Sequence, residues 1–156
     1  MIFIYLGIGV VVLMVLGYGF MLAHQKKMYQ AVKEDAINTL QKWGKVRYEH
    51  HHLVIDLKDE SYQILFYYVP ANAELTINSK TMWEVKTSGQ TSLINQTHFL
   101  SSSLTKMVIV FPTTLKMKRY INENEMEFIV YNKKFHNMYV IRPHELQSLL
   151  EELSHA

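Results

Sequence analysis

Residues 2–23, IFIYLGIGVVVLMVLGYGFMLA, contain no charged side chain. As a helix, these 22 residues are long enough to cross roughly 30 Å of hydrocarbon. Four of the six glycines of the chain fall here, a composition that membrane helices tolerate better than soluble ones. The rival reading is a secretory signal, which requires a basic start, a shorter apolar stretch and a small-x-small cleavage site. No Lys or Arg precedes the run, and Met21 spoils a site ending at Ala23. The run therefore predicts an uncleaved single-pass anchor over residues 1–25, with a separate domain over 26–156. His24, Gln25, Lys26 and Lys27 follow the span, with Lys33 close behind. The positive-inside rule then places the C-terminal part in the cytoplasm, so the expected location is the cell membrane.

All 16 Lys and Arg and all 14 Asp and Glu lie beyond this run, for a net charge of +2. A balance that mild neither demands nor excludes a polyanionic partner. The chain has no cysteine, which excludes disulfides and thiolate zinc sites. There is no Gly-rich phosphate loop, no Gly-x-Ser-x-Gly elbow and no Cys-x-x-Cys pair.

Beyond the anchor the periodicity reads as mixed α/β. Tyr29, Val32, Ala36, Leu40 and Trp43 recur at three- and four-residue steps, predicting a helix over 26–43 that ends at Gly44. HLVIDL (52–57) and YQILFYYV (62–69) predict a hairpin, and ELTIN (74–78) with TMWEVK (81–86) a second one. Leu93, Gln96, Phe99 and Leu100 suggest a helix near 91–102. KMVIVFP (106–112) is a continuous apolar run, the mark of a strand buried on both faces. MEFIVY (126–131) and MYVIRP (138–143) read as further strands. Pro143 opens a last helix with Leu146, Leu149, Leu150 and Leu153 on one stripe. The expected fold class is α/β (α+β): one N-terminal transmembrane helix, then a single mixed β-sheet with flanking helices.

The chemistry concentrates at Glu84-Val85-Lys86. On a strand, Glu84 and Lys86 share one face while Trp83 and Val85 take the other. The neighbouring strand offers Glu74, Thr76 and Asn78, again on one face. Carboxylates so grouped suit a hard divalent cation, and a lysine beside them can assist an attacking water. An ordinary exposed ion pair is the simpler reading of the same residues.

Ala73-Glu74-Leu75-Thr76-Ile77 followed by Glu84-Val85-Lys86 resembles the restriction-endonuclease-like, or PD-(D/E)xK, superfamily. The likeness is to small bacterial families with a Gly-Glu-x-Asp strand before Glu-Val-Lys. The order of elements and the spacing of Ala36, Leu40 and Gly44 are similar too, and the resemblance covers roughly residues 30–112. It implies a nuclease-like domain in which Glu74 and Glu84 hold Mg2+ or Mn2+ and Lys86 assists the water. Thr76 stands where those families carry the key metal-binding Asp, so Glu74 would have to serve as the second carboxylate, or the site is degenerate. Lys116, Lys118 and Arg119, with Tyr120 adjoining, form the densest basic cluster and are candidate phosphate contacts; a solvated loop or helix face is the alternative. Gln96 lies where some such nucleases keep a Gln near the substrate.

His50, His51 and His52 invite a zinc reading, but two His on one strand face fall short of the usual three or four ligands. The expectation is thus a membrane-anchored cytoplasmic protein that binds or cleaves nucleic acid. The alternative is a membrane-tethered protein-interaction module or a subunit of a membrane assembly.

Overall fold

The computed structural model describes residues 2–49, 52–112, 114 and 116–155, with side chains from residue 13 onward. The chain divides into two compact units, 1–34 and 35–156. The described residues of the first unit are helical, the beginning of helix α1 (Ile2–Trp43). Its residues Leu13, Met14, Val15, Leu16, Tyr18, Phe20, Met21 and Leu22 are all exposed. Among the described residues no helix is long and apolar enough to cross a membrane. Half of the uncharged run, residues 2–12, lies outside the described side chains.

The second unit contains two five-stranded mixed sheets, where the sequence suggested one. The strands are β1 (Lys45–Glu49), β2 (His52–Leu57), β3 (Glu60–Tyr68), β4 (Glu74–Ile77) and β5 (Met82–Lys86). They continue as β6 (Thr91–Asn95), β7 (Thr105–Phe111), β8 (Lys116–Asn122), β9 (Glu125–Phe128) and β10 (Met138–Ile141). A four-residue helix, α2 (Thr97–Leu100), follows β6, and α3 (Leu146–His155) closes the chain. The first sheet has the order β1-β2-β3-β7-β10 and the second β6-β5-β4-β8-β9.

The split into two sheets has a simple origin. β3 and β7 pair in parallel in the first sheet; β4 and β8, which follow them in the chain, pair in parallel in the second. The two crossings run side by side and are tied together. The Val69 amide donates to the Phe111 carbonyl at 2.8 Å. The fully buried Thr114 hydroxyl donates to the Ala73 carbonyl at 2.6 Å.

The first sheet is covered on both faces. Val108 and Val110 of β7 join Leu75, Ile77, Trp83, Met117, Met138 and Val140 in the core between the sheets. Met107 and Ile109 point the other way, against Ala36 and Leu40 of α1 and Leu146, Leu149 and Leu150 of α3. The unbroken apolar run of β7 is thus the expected pattern of a strand buried on both sides. The stripe read for the last helix also meets this core, as do Ala36, Leu40 and Trp43 of the stripe read for the first; Tyr29 and Val32 belong to the first unit. Gly44 follows the end of α1, and a Cβ there would overlap the Asp56 carbonyl oxygen, so this close approach requires glycine.

Three local expectations are corrected. Residues 91–95 are the edge strand β6, not a helical turn: Ser92 and Ile94 face inward, and Leu93, read as part of a helical stripe, is 62% exposed. Pairing with β5 outweighs a stripe of four residues. The basic segment 116–122 is strand β8, neither loop nor helix. The strand expected over 126–131 is β9, ending at Phe128.

Candidate functional site

The inner face of the second sheet is fixed by Leu75, Ile77, Trp83 and Met117, all essentially inaccessible. Alternation along each strand therefore sets the outer face. Register gives it three rows running across the sheet. The first row is Thr91, Lys86, Glu74 and Lys116. The second is Leu93, Glu84, Thr76, Lys118 and Phe128. On the third, Asn95 pairs with Met82 in one half of the sheet and Tyr120 with Met126 in the other.

Several residues singled out from sequence thus meet on one surface. Glu74, Glu84, Lys86, Lys116 and Lys118 share it, and Thr76, buried between Glu84 and Lys118, is at its centre. Lys118 Nζ donates to Glu74 Oε1 at 2.9 Å and stands 5.7 Å from the centre of the Phe128 ring. That ammonium holds the Glu74 carboxyl below its ordinary value; burial opposes the shift, and the charges of Lys116 and Lys86 add to it. Glu74 is therefore an ionised carboxylate already committed to a cation of the protein. Glu84 lies across from Thr76, whose hydroxyl is a weak stand-in for a carboxylate ligand. Among the described residues no three His, Cys, Asp or Glu side chains gather where one metal ion could be held.

Two of the singled-out residues lie elsewhere. Arg119 points to the inner side of β8, where its Nε donates to Glu127 at 2.7 Å and its guanidinium stacks 4.5 Å from the centre of the Phe135 ring. Gln96 follows β6, the edge strand separated from β8 by β5 and β4, and its backbone N–H donates to the Thr81 carbonyl at 2.8 Å. His50 and His51 lie outside the described residues. His52 meets His98 with ring centres 5.8 Å apart.

The outer face also carries Met126 and Phe128, which the sequence pattern did not single out, beside Tyr120, which it placed next to the basic cluster. All three are exposed, Phe128 at 63%, and flank the lysines on the β8–β9 side. The available signal was the two-residue repeat Lys116, Lys118, Tyr120, which puts all three on one face of a strand. No family model, curated protein or solved structure matches the chain.

Proposed function

We propose that this chain is a membrane-tethered protein whose second sheet binds single-stranded nucleic acid on its outer face. The observation that carries the reading is the juxtaposition of Lys86, Lys116 and Lys118 with exposed Tyr120 and Phe128 on one face of the second sheet. Lysines that track phosphates beside aromatic rings that stack bases are the two requirements of single-strand binding. A five-stranded sheet face suits splayed bases better than a duplex, whose bases are already stacked. The restriction-endonuclease-like resemblance points to the same ligand chemistry.

Binding is favoured over cleavage on this geometry. Glu74 is neutralised by Lys118, and Thr76 separates it from a full carboxylate pair with Glu84. In the cleaving version of the same domain, Glu74 and Glu84 would hold Mg2+ or Mn2+ and Lys86 would assist the water. The uncharged residues 2–23 serve as the anchor, and the basic flank directs the domain to the cytoplasm.

The test is fluorescence anisotropy of a labelled single-stranded oligonucleotide with the detergent-solubilised full chain, with and without Mg2+. Binding that weakens steeply with salt is expected, and Phe128→Ala lowers affinity by about 1–3 kcal/mol for each base that loses its stacking partner. Cutting of the oligonucleotide in Mg2+, abolished in Glu84→Ala, would replace the binding reading with the nuclease reading. No binding at low salt would leave the face to a protein partner.

A further inference from the structure

A second polar cluster lies away from this face, on the first sheet. A cleft of about 440 Å³ is lined by Val54, Gln63, Leu104, Ser102, His52 and His98. Beneath it sits Lys106, near the start of β7 and only 2% exposed. Its Nζ is 2.5 Å from Ser102 Oγ, 2.9 Å from the Ser102 carbonyl and 2.8 Å from the Leu104 carbonyl. Ser102 Oγ is in turn 2.7 Å from the Gln63 side-chain amide. Ser102 itself is exposed to solvent and lines the cleft.

We propose that Ser102 and Lys106 form a nucleophile–base pair that cleaves small acyl esters or amides bound in this cleft. The pair satisfies its hydrogen bonds in either protonation state. When Lys106 is charged, its three N–H groups serve Ser102 Oγ and the two carbonyls, and the hydroxyl donates to Gln63. When it is neutral, two N–H groups keep the carbonyls and the lone pair accepts the Ser102 proton. A half-turn of the Gln63 amide then makes it a donor to Oγ. Burial pushes Lys106 down to about 8, and the nearby charge of Lys80 adds to the effect. The other titratable groups on the cleft are Glu49, His52 and His98.

The step balances within these residues. Ser102 Oγ attacks the acyl carbon as its proton moves to Lys106, and the carbonyl π pair moves onto oxygen, near the Gln63 amide. Collapse breaks the bond to the leaving alkoxide or amine, which takes the proton from Lys106. Water then attacks the acyl-serine, Lys106 receives the water's proton, and the proton returns to Ser102 as the acid departs.

The test is phosphonylation of the full chain with a fluorophosphonate, followed by mass spectrometry. A single adduct on Ser102 is expected, formed faster as pH rises through about 8 and absent in Ser102→Ala. Lys106→Met, with folding checked by circular dichroism, slows labelling by about 100-fold or more. Should that variant not fold, the wild-type pH profile decides between the same alternatives. No adduct at about pH 9, an adduct that persists in Ser102→Ala, or a rate flat from about pH 6 to about pH 9 would each overturn the assignment.

Discussion

Replacing Lys86 and Lys116 together by Gln separates the electrostatic part of the proposed binding from its stacking part. Both residues are exposed and lie on the first outer row with Glu74, so the change leaves the core between the sheets intact. Lys118 is left in place because its loss would strand the Glu74 carboxylate with which it pairs at 2.9 Å. Each lysine that neutralises a phosphate of a single strand contributes about 0.7 to the slope of log K against log salt. Removing two should flatten that slope by about 1.4. Over a fourfold rise in salt, wild-type affinity then falls about sevenfold more than that of the variant. Anisotropy titrations of the same oligonucleotide at several KCl concentrations read the slope directly, and circular dichroism checks that the fold is unchanged. A variant slope within about 0.3 of wild type would refute the claim that phosphates run across this row.

Two further outcomes follow from the fold. Thr114→Val removes the donor to the buried Ala73 carbonyl, and leaving that oxygen unpaired should lower stability by about 1–3 kcal/mol in denaturant titrations. Asp56 accepts from Arg47 at 3.0 and 3.2 Å and from Ser61 at 2.6 Å, which together hold its carboxyl below the ordinary 3.8. A folded value below the unfolded one adds stability that is complete above the unfolded value and lost as pH falls through the folded one. The Tm should therefore drop as pH falls below 3.8, and the drop should be shallower in Asp56→Asn.

The elements read most clearly from sequence are those whose environment is uniform along their length. β7 is apolar at five successive positions because sheet and helices press on it from opposite sides, and α3 repeats leucines because only one of its faces is covered. The sheet assignment was not legible in the same way. β4 and β5 alternate as any half-buried hairpin does, and nothing in ELTI or MWEVK states which sheet they join. That is decided by the paired crossings at Val69–Ala73 and Phe111–Thr114, contacts between segments about 40 residues apart. β6 was obscured because its exposed Leu93 sits beside its half-buried Ile94, which blurs the period. Of the site, Glu74, Glu84 and Lys86 were visible from spacing within strands, and Lys116 and Lys118 as a basic cluster with Tyr120 adjoining. Phe128 was not, because the segment that carries the lysines reads as a solvated surface rather than as a strand with a partner.

The two sheets also divide the work of folding unequally, and this bears on what the outer face is for. The first sheet is packed on both sides and has little freedom to vary its residues. The second needs apolar side chains on one side only, which Leu75, Ile77, Trp83 and Met117 supply. A polar outer face would satisfy that requirement, and Glu74, Glu84 and the lysines provide most of one. Phe128, Met126 and Tyr120 do not fit this economy. They gather on one stretch of β8 and β9 and remain exposed, Phe128 at 63%. Scattered exposed apolar residues are ordinary, but a cluster bordered by charge marks a surface that meets something else. In the proposed function, the lysines beside it call for an anionic ligand, and the rings for one with flat surfaces to stack against. Single-stranded nucleic acid has both properties.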